Sequence, residues 1–152
     1  MTIAIGCDHA GFACKEQVKS LLHDLGHDVE DFGCYSEESV HYPEYGAKVA
    51  QAVSQGKFEC GILVCGTGIG MSVVANKFCG VRAALCHDLF TAQACREHND
   101  ANILVMGARV LTCDQVKEIV MTYLKTPFAG GRHAQRLELI AMIEAQNMKC
   151  RK

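Results

Sequence analysis

A single cysteine at the end of an apolar run is the residue of this chain best placed to do chemistry. Gly61-Ile62-Leu63-Val64 leads into Cys65-Gly66-Thr67-Gly68-Ile69-Gly70-Met71, and a helical pattern, Ser72-Val73-Val74-Ala75-Asn76-Lys77, follows. That order brings a thiol to a point where loop amides and a helix N-terminus converge, an arrangement that favours the thiolate. The same amides can hold an anionic oxygen of a substrate.

The elements that position this loop alternate between strand and helix. Apolar strands are expected at 3–7, 29–32, 60–65, 81–86 and 103–106. Helices are expected over 12–25, with Gly26 as its C-cap, and over 42–55, from about 70, over 88–98, over 114–124 and over 132–148. Five strands alternating with helices in 152 residues predict one α/β domain, a three-layer αβα sandwich on a parallel, Rossmann-like sheet. The strands read as apolar runs, as expected where helices cover both faces of a sheet. In such sheets ligands bind beyond the carboxyl ends of the strands. That rule selects Asp8 and His9, then Cys65 to Gly70, then His87 and Asp88, then Arg109, as one rim.

Composition narrows the function classes. A net charge of -2 gives no electrostatic case for nucleic acid or an anionic membrane as partner. No apolar run reaches the ~18 residues of a membrane span. The start, Met1-Thr2-Ile3-Ala4-Ile5, has no basic flank and reads as a strand of a cytoplasmic protein. The ten cysteines include no Cys-x-x-Cys pair, which argues against zinc ribbons and redox dithiols. They are expected to be small buried residues of a reducing compartment. No metal-ligand spacing is visible, and no cofactor is called for.

Each candidate has a plainer reading. Asp8 can simply cap the first helix, and His87-Asp88 reads best as a helix start. His98-Asn99-Asp100 can be a polar helix exit with Asn99 as a left-handed cap. Arg132 and Arg136, four apart on one helical face, can be a solvated basic edge, or a phosphate clamp. The glycine loop has rivals as well. As a dinucleotide fingerprint it has Met71 where the third glycine belongs. As a cysteine phosphatase loop it has Met71 where the arginine belongs. A sugar-phosphate sensor with the same cradle but no turnover is countered only by the placement of Cys65.

Taken in order, Asp8-His9-Ala10-Gly11-Phe12, Tyr42-Pro43-Glu44-Tyr45, Cys65 to Gly70, Ala75-Asn76-Lys77, Arg96-Glu97-His98-Asn99-Asp100 and Gly130-Gly131-Arg132-His133-Ala134-Gln135-Arg136 form a specific set. From 3 to at least 143 the chain resembles the ribose-5-phosphate isomerase B family, which also includes allose- and galactose-6-phosphate isomerases. The resemblance implies an aldose–ketose isomerase acting through an enediolate, without metal or cofactor. It implies Cys65 as the base that moves a proton between C1 and C2. A related branch uses a glutamate at the place of Met71, so the chain resembles the cysteine branch. His98 takes the ring-opening role, helped by Asp8. Substrate contacts fall on Asp8, His9, Gly66, Thr67, Gly68, Ile69, Gly70 and Asn99. Phosphate contacts fall on Arg132 and Arg136, with Arg109 as an addition. The resemblance also implies a homodimer, or two dimers paired into a tetramer, with sites shared between subunits and helix 132–148 in the contact.

The residue types suit that step. A thiol has an unperturbed pKa near ~8.5, so a modest lowering brings it to operating pH. Amides of residues 67–70 can meet the charge that develops on the substrate oxygen, where losing one donor typically costs ~3 kcal/mol. An acid must open the ring before a carbonyl exists, and the remote phosphate supplies orienting energy.

Overall fold

In the computed structural model, which describes residues 1–148, strands and helices alternate as the periodicity predicts. The first half contains β1 (Thr2–Cys7), a 3-10 turn (His9–Gly11), α1 (Phe12–Asp24), β2 (Asp28–Asp31), α2 (Tyr42–Ser54) and β3 (Cys60–Cys65). The second contains α3 (Ile69–Ala75), β4 (Ala83–Leu85), α4 (Leu89–Glu97), β5 (Ile103–Gly107), α5 (Cys113–Lys125) and α6 (Arg132–Asn147). All five strands run parallel in one sheet ordered β2-β1-β3-β5-β4.

Alternate residues of the central strands feed two separate cores, as the period of two along a strand requires. Ile3, Ile5, Ile62, Val64, Leu104 and Met106 pack against α1, α4 and α5. Ala4, Leu63, Cys65, Ile103 and Val105 pack against α2 and α3. The expected αβα layering is therefore present.

The edge strands depart from the expected apolar runs. β2 reads Asp28-Val29-Glu30-Asp31 and alternates exposed with half-buried residues. β4 is three residues long, not six, and only half-buried. Each has one strand neighbour, so part of its surface meets water and needs no apolar cover. Asp31 is there for another reason. Its carboxylate grips Lys15, whose side chain is fully buried, through bonds of 2.8 and 2.7 Å. The Lys15 ammonium also donates to the Cys34 carbonyl at 2.8 Å, beneath the rings of Phe12 and Tyr35. Burial pushes the Asp31 pKa up, but the bonds from Lys15 and Lys19 outweigh it and leave the group below the usual carboxylate value.

The helix ends follow from local chemistry. Gly26 (φ 77) closes α1, with its N–H on the His23 carbonyl and that of His27 on the Leu22 carbonyl. Asp88 caps α4 in a reciprocal box with Thr91, so the plain reading of His87-Asp88 holds. The left-handed residue at the far end of α4 is Asp100 (φ 43), not Asn99 as expected.

α6 stands apart from the two cores. Only His133 of this helix is buried, and Leu139, Ile140, Met142 and Ile143 are exposed. No helix among the described residues is long and apolar enough to cross a membrane. Among the described residues eight cysteines carry free thiols, seven of them buried, as expected. Cys79 departs from that expectation, being disulfide-bonded. It is half-buried in the loop between α3 and β4.

Candidate active site

β1 and β3 lie side by side, with β2 beyond β1 and β5 beyond β3. The chain's winding reverses between them, and the crevice of an open parallel sheet opens at the carboxyl ends of such a pair. Asp8 follows β1 directly, and its N–H donates to the Val64 carbonyl at 3.2 Å, so it sits beside the last residue of β3, Cys65.

The Cys65 thiol is 5% exposed, and its sulfur accepts the Gly68 N–H at 3.1 Å. A donor aimed at sulfur holds it in place and strengthens when the sulfur is charged. Gly68 is left-handed (φ 80), and a Cβ there would meet the Leu85 side chain and come within 3.0 Å of the Met106 backbone. The loop therefore turns back on the cysteine only with glycine at this position. α3 begins immediately afterwards, and Thr67 Oγ1 accepts the Ile69 N–H at 3.3 Å. Thr67 and Ile69 are exposed, Gly66 and Gly70 half-buried.

The surrounding rim is built from three other segments. Asp8 is 7% exposed and caps the 3-10 turn through Oδ1, which accepts the Gly11 N–H at 3.0 Å. Its plain capping role is thus real, and it coexists with a place next to Cys65. His9 Nδ1 accepts the Val40 N–H at 3.3 Å, which leaves Nε2 as the donor of a neutral ring. Arg109 follows β5, donates its N–H to the Gly66 carbonyl at 2.9 Å and lays its side chain beside Gly66. The fourth residue is Tyr42, whose ring lies so close to Gly70 that a Cβ there would fall 2.6 Å from it. Tyr42 was not among the expected site residues. Its signal was present in the Tyr42-Pro43 pair that opens a helix, but that pair places no side chain.

The remaining candidates lie elsewhere. α4 runs back from the carboxyl edge of the sheet, so His98 and Asn99 end up at the amino edge, just before β5 begins. They are separated from the Cys65 loop by the length of a strand, roughly 15 Å. The Ala129 N–H donates to the Glu97 carbonyl at 3.0 Å, and Gly130 and Gly131 then turn the chain into α6. This brings Arg132 and Arg136 beside His98, with the His98 and His133 rings stacked at 4.4 Å and 11°. Burial first, and then the neighbouring His98, Arg132 and Arg136, hold the His133 pKa below the usual histidine value. Both arginines are exposed, and the described residues give neither a carboxylate partner.

One chain therefore carries two separate constellations. The first, with Cys65, Asp8, His9, Arg109 and the glycine loop, offers a buried base beside fixed donors. The second, with His98, Asn99, Arg132 and Arg136, offers an acid beside an anion clamp. Among the described residues no three acidic, histidine or cysteine side chains form a metal-holding group.

A sequence model described as Ribose/Galactose Isomerase matches residues 3–140. Ribose-5-phosphate isomerase B of Escherichia coli is 46% identical over 142 residues, covering 93% of this chain and 95% of the relative. D-erythrulose-4-phosphate isomerase of Pectobacterium atrosepticum is 41% identical over 147 residues, covering 96% and 97%. Among solved structures, ribose-5-phosphate isomerase B of Clostridium thermocellum superposes with a TM-score of 0.94 at 49% identity, covering 96% of this chain and 99% of that one. With its fold, its glycine loop and residues 3–140 accounted for, the chain belongs to the ribose/galactose isomerase family.

Proposed function

We propose that this protein interconverts D-ribose 5-phosphate and D-ribulose 5-phosphate through an enediolate. The observation that carries the reading is the Cys65 sulfur, buried at the switch point, held by the Gly68 amide and flanked by Asp8. The 46% identity to the Escherichia coli isomerase supports the substrate.

In this scheme Cys65 removes the proton from one of C1 and C2 and returns it to the other. Amides of the loop from Gly66 to Gly70 and the Thr67 hydroxyl meet the charge on the enediolate oxygen. Asp8, His9 and Asn99 hold the sugar hydroxyls. His98 gives a proton to the ring oxygen so that the carbonyl appears, assisted by Asp8. Arg132 and Arg136 clamp the phosphate, with Arg109 adding charge from the carboxyl rim. The chain's own residues supply every proton transfer in this scheme.

Because the base and the acid occupy opposite edges of one subunit, the working unit is a homodimer in which each site draws on both chains. The exposed Leu139, Ile140, Met142 and Ile143 of α6 support a subunit contact along that helix. The seven buried free thiols among the described residues, set against one disulfide-bonded Cys79, favour a reducing, cytoplasmic setting.

A second reading, a different sugar phosphate on the same chemistry, is favoured by the four-carbon substrate in the name of the Pectobacterium relative. Allose 6-phosphate and galactose 6-phosphate extend the range upward. Purified protein is assayed with each phosphate in the presence of a chelator. Fastest turnover of ribose 5-phosphate, undiminished by chelator, is expected. Absence of turnover on all of them leaves the sensor reading, and a faster rate on another sugar renames the substrate.

A further inference from the structure

We infer that Arg82 and Asp100 are positioning residues that hold the 98–99 turn rigid for ring opening, an inference that rests on the reading of His98 as the acid. The turn between α4 and β5 is pinned far beyond what a loop requires. Asp100 takes up the left-handed conformation (φ 43) that carbon-bearing side chains rarely adopt. Strained backbone of this kind persists only where its surroundings over-determine it.

Three consecutive carbonyls in the turn receive side-chain donors from other elements. Arg82 Nε lies 3.0 Å from both the Asn99 and the Asp100 carbonyl oxygens, and one terminal nitrogen lies 2.7 Å from the latter. The Ala101 carbonyl accepts from Arg96 at 2.8 Å and from the Tyr123 hydroxyl at 2.8 Å. The Asp100 carboxylate then ties the two arginines together, one oxygen at 3.1 Å from Arg82 and the other at 2.8 Å from Arg96. Arg82 precedes β4, Arg96 lies on α4 and Tyr123 on α5, so three elements converge on five residues.

What this clamp holds is the pair His98-Asn99. His98 caps the end of α4, its N–H on the Ala94 carbonyl at 2.9 Å, and its ring is exposed on one side and stacked on His133 on the other. An acid that must reach a ring oxygen loses rate steeply with small displacement, on the order of a hundredfold per 1 Å. A forked guanidinium is suited to the task because its planar donors bind two carbonyls and a carboxylate in one fixed geometry, which a freely rotating ammonium does not set. Neither Arg82 nor Asp100 touches the sugar in this account.

The test exploits a chemical asymmetry of the substrates. An aldose 5-phosphate is mostly a ring, whereas the corresponding 2-ketose, its O5 esterified, is open. Rates are measured in both directions as the concentration of enzyme is raised, for the parent and for His98→Asn, Arg82→Met, Arg82→Lys and Asp100→Asn. Asparagine tolerates the left-handed conformation, so the last variant removes the charge while keeping the turn. For Arg82→Met and Asp100→Asn the aldose-direction rate should level off at the rate of uncatalysed ring opening. Their ketose-direction rate should stay proportional to enzyme, and Arg82→Lys should restore at most part of the loss. A general folding defect would lower both directions and keep both proportional. If His98→Asn levels off but Arg82→Met and Asp100→Asn stay proportional, the positioning role is wrong. If His98→Asn itself stays proportional, the ring-opening reading of His98 has failed, and the inference with it.

Discussion

The imidazole rings of His98 and His133 lie parallel, 4.4 Å apart, and fasten the start of α6 to the end of α4. His133 is on the helix that carries Arg132 and Arg136, so one ring contact links the proposed acid to the proposed phosphate clamp. The contact is also sensitive to acid. The groups facing His133 are His98, Arg132 and Arg136, which oppose its protonation, and Glu97, which favours it. With the folded pKa below the ordinary value, the unfolded chain binds the proton first. Stability from this site is full above about pH 6.5 and declines as pH falls from there toward the depressed folded value. Thermal denaturation of the parent should show that decline, and His133→Phe, which keeps a stacked ring without a proton, should lack it in the same window.

Cys65→Ala should abolish turnover while leaving the fold intact. Removing a proton-transfer group costs about 10²- to 10⁴-fold, and among the described residues no other thiol bonds the loop amides. The variant should still bind ribose 5-phosphate, as read by calorimetry. Near-normal turnover would remove Cys65 from the role of base.

Arg136→Ala should act on binding and spare the chemical step. A charge-assisted hydrogen bond is worth about 1.5–3 kcal/mol, so KM for the phosphorylated sugar should rise at least tenfold with kcat changed far less. Raised salt should weaken the parent more than the variant. Equal binding of ribose and ribose 5-phosphate by the parent would refute the clamp.

Lys15→Met should be among the most costly single changes in the fold. It strips the half-buried Asp31 carboxylate and the Cys34 carbonyl of their shared donor; Lys19 stays on Asp31 at 2.8 Å, so the loss should fall near the lower end of the about 3–5 kcal/mol that breaking a buried pair from one side costs. Urea denaturation should show a loss of that size. A double change with Asp31→Asn should recover part of it.

Much of this was legible in the chain. β3 matches its expected bounds residue for residue because an apolar run that stops at a glycine turn has few alternatives. Cys65 and Gly68 were legible for the same reason, since a glycine loop between strand and helix fixes its own geometry. The edge strands were not, because β2 looks polar unless Lys15 is known to be buried behind Asp31, sixteen residues away in the chain. Tyr42 escaped because its place over Gly70 depends on how the 33–41 loop closes. The left-handed residue after α4 was expected one position early, since asparagine and aspartate share that tolerance and only the two arginines decide between them.

With sites shared between subunits as proposed, the separation of Cys65 and His98 to opposite edges of the sheet should make the enzyme open to rescue between defective chains. A Cys65→Ala subunit still offers a sound His98, and a His98→Asn subunit still offers a sound Cys65. Each variant alone builds only broken sites. Denatured together and refolded as mixed dimers, they should recover about a quarter of the parental activity, because half the dimers are mixed and each holds one whole site. A chain carrying both changes should rescue neither.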